Sequence, residues 1–310
     1  MTLDFTQLTE QVARMGREIG SRRRTLAERA RIARKKLRHW SGRLDEVAEH
    51  VNQAGADFRG AAPLRIPYDE PMADSYPLPP CPGAGTLVAV DGSQVYLDEG
   101  ATALYYLINL GVIVYHHGID VPPNCEMAPQ LFYHDDHIYA EGRLVNNVIV
   151  NARRTKFERD KLAEAAWNYR HAARPLLAVA DGPLLFWMDS GVPEEEREEQ
   201  IMPGYYTAMQ KVRNIGQESG GGTAMAGYVD KPNSSYVVRL LQLLPPLDPT
   251  EDTEILEGLT DHWLFSAWDD PLLPPGARSA LFVQQSPYNA RYAERDPDLA
   301  DRARAEVVAL

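Results

Sequence analysis

Leu87-Val88-Ala89-Val90-Asp91-Gly92-Ser93 decides how this chain is read. The apolar run predicts a buried strand, and an acid at its end is costly unless something positive meets it. A second run repeats the design: Leu176-Leu177-Ala178-Val179-Ala180 leads into Asp181-Gly182-Pro183. Between the two, Glu158 lies in a polar, helix-like stretch four residues after Arg154. Two acids from neighbouring strands and a third from a covering helix make a hard-oxygen set suited to Mg²⁺ or Mn²⁺. Such a set points to metal-assisted cleavage of a phosphate ester. Three anionic ligands can hold two cations about 3.5–4 Å apart.

Single pieces of this pattern are weak. Asp-Gly after a strand is a common turn. Arg154 and Glu158 also fit an exposed i,i+4 pair worth only about 0.3–0.5 kcal/mol, and spacing leaves both readings open. Like charges held together repel, so one carboxyl group should stay protonated to a higher pH. Ser93 could hydrogen-bond a phosphate oxygen or a metal-bound water, and the glycine after each Asp lets a phosphate or metal approach the backbone closely.

Composition sets the frame. The 310 residues suffice for one large domain or two small ones, and 44% apolar with 25% charged residues is ordinary for a globular protein. No apolar run approaches the ~20 residues of a membrane span, and the polar start predicts no signal peptide. Cys81 and Cys125 show no CxxC spacing, which argues against a disulfide framework or zinc and for a cytoplasmic protein. A net charge of −12 opposes duplex binding in general, yet it is uneven. Arg22 to Arg38 form a basic cluster, whereas Glu194 to Glu199 are acidic.

Apolar residues spaced by three and four run from Phe5 through Ile19 and resume from Leu26 to Val51, predicting a helical arm over 1–59. A break into two helices is expected at Gly20-Ser21. Seven prolines between Pro63 and Pro82 predict an extended connector over 60–83, without ladder pairing. The remainder alternates. Strands are expected at Thr86–Val90, Ala103–Val114, Gln130–Tyr133, Leu176–Ala180, Ala224–Val229 and Ser279–Gln284. Helices are expected at Leu144–Tyr169, Tyr205–Ile215, Tyr236–Leu243 and Asp261–Ala267. That order predicts an α/β sheet covered on both faces.

Other signals compete weakly. His116-His117 and His134-Asp135-Asp136-His137 lack HExxH spacing and read as solvated segments. Gly220-Gly221-Gly222 lacks the Lys-Ser/Thr of a phosphate loop, and neither Ser93 nor Ser190-Gly191 sits in a nucleophile elbow. Lys231 reads as a phosphate contact or as part of a helix entry capped by Ser234 or Ser235.

Five segments in order resemble the successive motifs of the NurA nucleases, over roughly residues 85 to 285. They are Val88-Ala89-Val90-Asp91-Gly92-Ser93, Arg154-x-x-x-Glu158, Ala180-Asp181-Gly182-Pro183-Leu184, Ala226-Gly227-Tyr228-Val229-Asp230-Lys231-Pro232 and Gly276-Ala277-Arg278-Ser279-Ala280-Leu281-Phe282. The resemblance implies a ribonuclease H-like mixed sheet over 84–310, with Asp91, Glu158 and Asp181 as ligands of Mn²⁺ (or Mg²⁺). It also implies 5′→3′ exonuclease and single-strand endonuclease activity, a homodimer, and partnership with a hexameric HerA ATPase in DNA end resection. Arg154 would orient Glu158 or contact a phosphate; Ser93, Lys231 and Arg278 would help hold DNA. The family pattern continues into a C-terminal Tyr and His. Here no histidine follows His262, and Tyr288 or Tyr292 would stand for the tyrosine. A catalytically silent adaptor of the HerA-type motor is the alternative expectation, and a phosphohydrolase of small substrates a third.

Overall fold

A computed structural model describes residues 5–186, 191–218, 221–248, 253–266, 271–287, 289 and 307–308. The chain opens with α1 (Phe5–Trp40), α2 (Leu44–Gln53), β1 (Gly60–Pro63) and β2 (Ser75–Pro77). Next come β3 (Gly85–Val95), β4 (Tyr106–His117), β5 (Asn124–Phe132), the single turn α3 (Asp135–Ile138) and a short hairpin of β6 (Tyr139–Ala140) and β7 (Arg143–Leu144). Helix α4 (Asn147–Asn168), β8 (Leu176–Asp181), a π-helical turn Glu196–Ile201, α5 (Met202–Glu218) and β9 (Thr223–Tyr228) follow. The last part holds α6 (Tyr236–Leu243), α7 (Asp261–Ser266), β10 (Ala277–Ser279), β11 (Phe282–Gln285) and β12 (Val307–Val308). Two compact units result: Pro80–Asp230, and Met1–Pro79 together with Lys231–Leu310.

The continuous unit is built on a five-stranded mixed sheet of order β5-β4-β3-β8-β9. β3, β4 and β5 pair antiparallel, whereas β3, β8 and β9 run parallel. Parallel neighbours cannot be joined by a tight turn, and α4 makes the crossover into β8. Along β3 the side chains alternate, sending Val88 and Val90 into the core with Ile108, Val112, Ala178 and Ala180. Leu162 and Ala166 of α4 and Val212 and Ile215 of α5 close that core. Among the described residues of this unit, α4 and α5 close the same core against the sheet. Opposite them Ile113, Tyr115 and Met127 are exposed.

Two boundaries differ from expectation for local reasons. β5 is nine residues long and pairs from Asn124 to Phe132, although its residues are almost all exposed. An edge strand solvated on both faces carries no alternation to read. Helix α4 starts later than Leu144 because Asn146 caps it, accepting at Oδ1 from the Ile149 amide at 3.0 Å.

In the other unit α1 is continuous through Gly20-Ser21. Glycine there meets nothing within 4 Å, and one exposed glycine costs a helix only about 1 kcal/mol. The break falls instead after Trp40, where the Ser41 carbonyl accepts from the Met72 amide at 3.0 Å and its hydroxyl from the Ala73 amide at 2.8 Å. Ala30, Ala33, Leu37 and Trp40 pack with Leu44, Val47 and Val51 of α2 and with Val237, Leu241, Leu264 and Phe265. Val12, Met15 and Ile19 on the first half of α1 are exposed. The basic cluster is not wholly solvated: Arg34 and Lys36 are buried, and Lys36 donates to the Leu244 carbonyl at 2.7 Å. The proline-rich segment does enter ladders, since β1 pairs β11 and β2 pairs β10. Pro63 and Pro77 occupy the last residue of their strands, where proline is tolerated.

Neither Ser234 nor Ser235 caps α6. Ser235 makes no side-chain cap bond. Buried Asp261 does the work from α7: its Oδ1 accepts from the Val238 amide at 2.9 Å, Oδ2 accepts from the Ser234 hydroxyl at 3.2 Å, and the Val237 and Tyr236 amides also bond to it. Asp261→Ala should therefore lower stability by roughly 2–3 kcal/mol, read as the midpoint shift in urea unfolding, with Asp261→Asn losing less.

Candidate metal centre

The register of β3 against β8 sets Val90 opposite Ala180, so Asp91 and Asp181 follow abreast on adjacent strands. Both are exposed. β8 ends at Asp181 because Gly182 takes a left-handed backbone, φ +84°, and donates its amide to the Tyr228 carbonyl at 2.8 Å. The turn lies so close to β9 that a Cβ on Gly227 would stand 2.5 Å from the Gly182 carbonyl oxygen. β3 runs on past Asp91, whose Oδ1 accepts from the Gly92 amide at 2.8 Å.

Helix α4 brings the third acid to Gly92, the residue after Asp91. A Cβ on Gly92 would fall 2.5 Å from Glu158 Oε1 and 2.9 Å from Arg154 Cγ, so the missing side chain is what admits the helix. Glycine after Asp91 thus makes room for the chain's own carboxylate. The Glu158 side chain is 6% exposed, with Arg154 Nε 3.2 Å from Oε1 and Arg159 Nη1 4.0 Å from Oε2. Arg159, itself buried, donates through Nη2 to the carbonyls of Asp181 at 3.1 Å and Pro183 at 3.3 Å. Its Nε and Nη1 have no hydrogen-bond partner among the described residues.

These contacts set the charge state. Burial pushes the Glu158 carboxyl up to about 7; Arg154 and Arg159 oppose that shift, and Asp91 and Asp181 add to it. Desolvation and two neighbouring acids outweigh two guanidinium groups. The three carboxylates share one electrostatic environment and supply hard oxygen donors, which suits a divalent cation. They do not form a closed cage: no group of three His, Cys, Asp or Glu is gathered for a metal among the described residues. The pleat accounts for this, because alternation directs Asp91 to the face of β3 opposite Gly92, against which Glu158 rests.

Ser93 is exposed and shares the Asp91 face by the same alternation. Arg154 is turned onto Glu158 and onto Gln94, whose Oε1 accepts from Nη1 at 2.6 Å. Lys231 and Arg278 belong to the other unit. Arg278 is gripped by Glu70 through both terminal nitrogens, at 2.6 and 2.8 Å, and lies over the Tyr76 ring. His116 contacts Thr86 Oγ1, and His117 lies 3.5 Å from Cys81 Sγ. His134 precedes the one-turn helix α3, so the His-Asp-Asp-His segment is not wholly loop. Ser190, Gly220, Tyr288 and Tyr292 lie outside the described residues. Arg159 is the neighbour of these acids that sequence reasoning missed. Its signal is a charge inside the stripe Ala152, Arg159, Leu162, Ala166.

A family model described as the NurA domain matches residues 85–298. Two solved structures are similar. The crystal structure of the NurA nuclease from Sulfolobus solfataricus is 10% identical with a TM-score of 0.35, the match covering 80% of this chain and 69% of that one. The crystal structure of NurA bound to dAMP and manganese is 13% identical with a TM-score of 0.27, the match covering 59% of this chain and 29% of that one. No curated protein matches the chain.

The raised Glu158 carboxyl makes stability pH-dependent. Its folded value, about 7, exceeds the unfolded 4.5, so its contribution is full below pH 4.5 and is lost as pH rises through 7. Glu158→Gln should melt higher than the parent at pH 8 in chelator, and no higher at pH 4. Equal melting at both pH values, by scanning calorimetry, would contradict the buried acid.

Proposed function

Because the chain belongs to the NurA family, we propose that it is a metal-dependent DNA nuclease centred on Asp91, Glu158 and Asp181. One observation carries this reading. Asp91 and Asp181 emerge abreast from paired strands, and both act electrostatically on the Glu158 that α4 brings to Gly92. Strand order β5-β4-β3-β8-β9, with its antiparallel and parallel halves, supports the ribonuclease H-like reading.

Asp91, Asp181 and Glu158 would hold Mn²⁺, or Mg²⁺ in its place, as a pair of ions. When bound, the ions supply the positive charge that offsets the phosphate and the departing oxygen in the displacement. Ser93, on the Asp91 face of β3, would hydrogen-bond a phosphate oxygen of the strand to be cut. Arg154 keeps Glu158 in place near neutral pH, where burial otherwise favours its protonated form. Lys231 would add a phosphate contact, while Arg278 would share its guanidinium between DNA and Glu70. We extend the proposal, on the family resemblance, to 5′→3′ exonuclease and single-strand endonuclease activity in a cytoplasmic homodimer. A HerA-type hexameric ATPase would feed DNA to it in end resection.

Asp91→Ala should abolish Mn²⁺-dependent degradation of a 5′-labelled strand while the circular dichroism spectrum is retained. Undiminished cleavage by that variant would overturn the assignment. A wild-type protein that leaves linear DNA intact in Mn²⁺ would instead be the silent adaptor.

A further inference from the structure

A hydrogen-bonded relay joins β3 to α4 beside the acids. Gln94 lies two residues beyond Gly92, on the helix-facing side of β3, and its Oε1 accepts from Arg154 Nη1 at 2.6 Å. Its Nε2 donates to the Tyr96 hydroxyl at 2.8 Å, and that hydroxyl donates to Asn151 Oδ1 at 2.9 Å. Asn151 stands three residues before Arg154, so the relay starts and ends on one face of α4.

Each link has one possible direction. Arginine only donates, so Gln94 must present its oxygen to Arg154 and its amide nitrogen to Tyr96. The Tyr96 oxygen therefore accepts from Gln94, and its single proton goes to Asn151 Oδ1. The Tyr96 ring meanwhile packs against the core of the sheet. An amphipathic side chain anchored at its ring and bonded at its tip is well held.

We propose that Gln94 and Tyr96 are positioning residues. They fix the Arg154 guanidinium so that it holds the Glu158 carboxylate against Gly92. The inference rests on the nuclease reading of that carboxylate and deepens it. An arginine carries about 2 kcal/mol of rotamer entropy, and an exposed i,i+4 pair does not repay it. Here a strand residue grips Nη1, while Nε faces Glu158 Oε1 at 3.2 Å as an ion pair without hydrogen-bond geometry. Of the two roles that the family resemblance leaves open for Arg154, orienting the acid is the one this geometry supports.

Tyr96→Phe deletes the hydroxyl and keeps the ring. It should lower kcat about fivefold with KM for DNA unchanged, and lower the melting temperature by no more than the few degrees that one net hydrogen bond is worth. In a background of Arg154→Lys the same substitution should have no further effect. Independently of activity, ¹⁵N relaxation of the Arg154 Nε–H in cation-free protein should change from rigid to mobile. A wild-type kcat, a raised KM at unchanged kcat, additive losses in the double variant, or an Arg154 that stays rigid would each overturn the proposal. A wild-type protein without nuclease activity would refute the function, and the relaxation measurement would still decide the relay.

Discussion

Parallel pairing of β3 with β8 is the constraint on which the rest of the Pro80–Asp230 unit depends. Two parallel strands demand a crossover element, and the crossover here is α4. One topological requirement therefore delivers all three acids: two at neighbouring strand positions, and the third on the helix obliged to pass over them. The same helix carries Arg154 and Arg159, so the charges that temper the acids arrive on the same scaffold. Small residues complete the arrangement. Gly92 lets the helix approach, and Gly182 turns the chain away once Asp181 has been placed.

The electrostatic balance is uneven by design of the packing. Asp91 and Asp181 are solvated, whereas Glu158 is buried between α4 and β3 with two arginines that do not restore its ordinary acidity. Arg159 bonds chiefly to backbone carbonyls after Asp181 and so ties helix to strand end. Buried charge of this kind is tolerated where several weak partners surround it.

Much of this was legible in the residues themselves. Apolar runs ending in acid located β3 and β8, because central strands are buried and read as continuous hydrophobic stretches. Helix α6 matched its expected span because its apolar pattern is undiluted. Edge strand β5 was mostly invisible, since pairing with β4 rather than burial defines it. The hinge after Trp40 was hidden for a related reason: Gly20-Ser21 and Ser41-Gly42 look alike, and only bonds from Met72 and Ala73 single out the second. In the site, Asp91, Asp181 and Glu158 announced themselves as residue types. Arg159, Gln94 and Tyr96 did not, because their importance lies in what faces them.

One feature of the chain path bears on how the molecule is made. β1 has its ladder partner in β11, and the whole of Pro80–Asp230 is synthesised between them. The inserted unit has its own sheet and core, so it can fold on the ribosome while α1 and α2 still wait for α6 and α7. Until then the buried faces of Leu37, Val47 and Val51 stand open to solvent and to other nascent chains. Contacts so distant in sequence carry a larger loop-closure cost than the local pairings of the inserted unit.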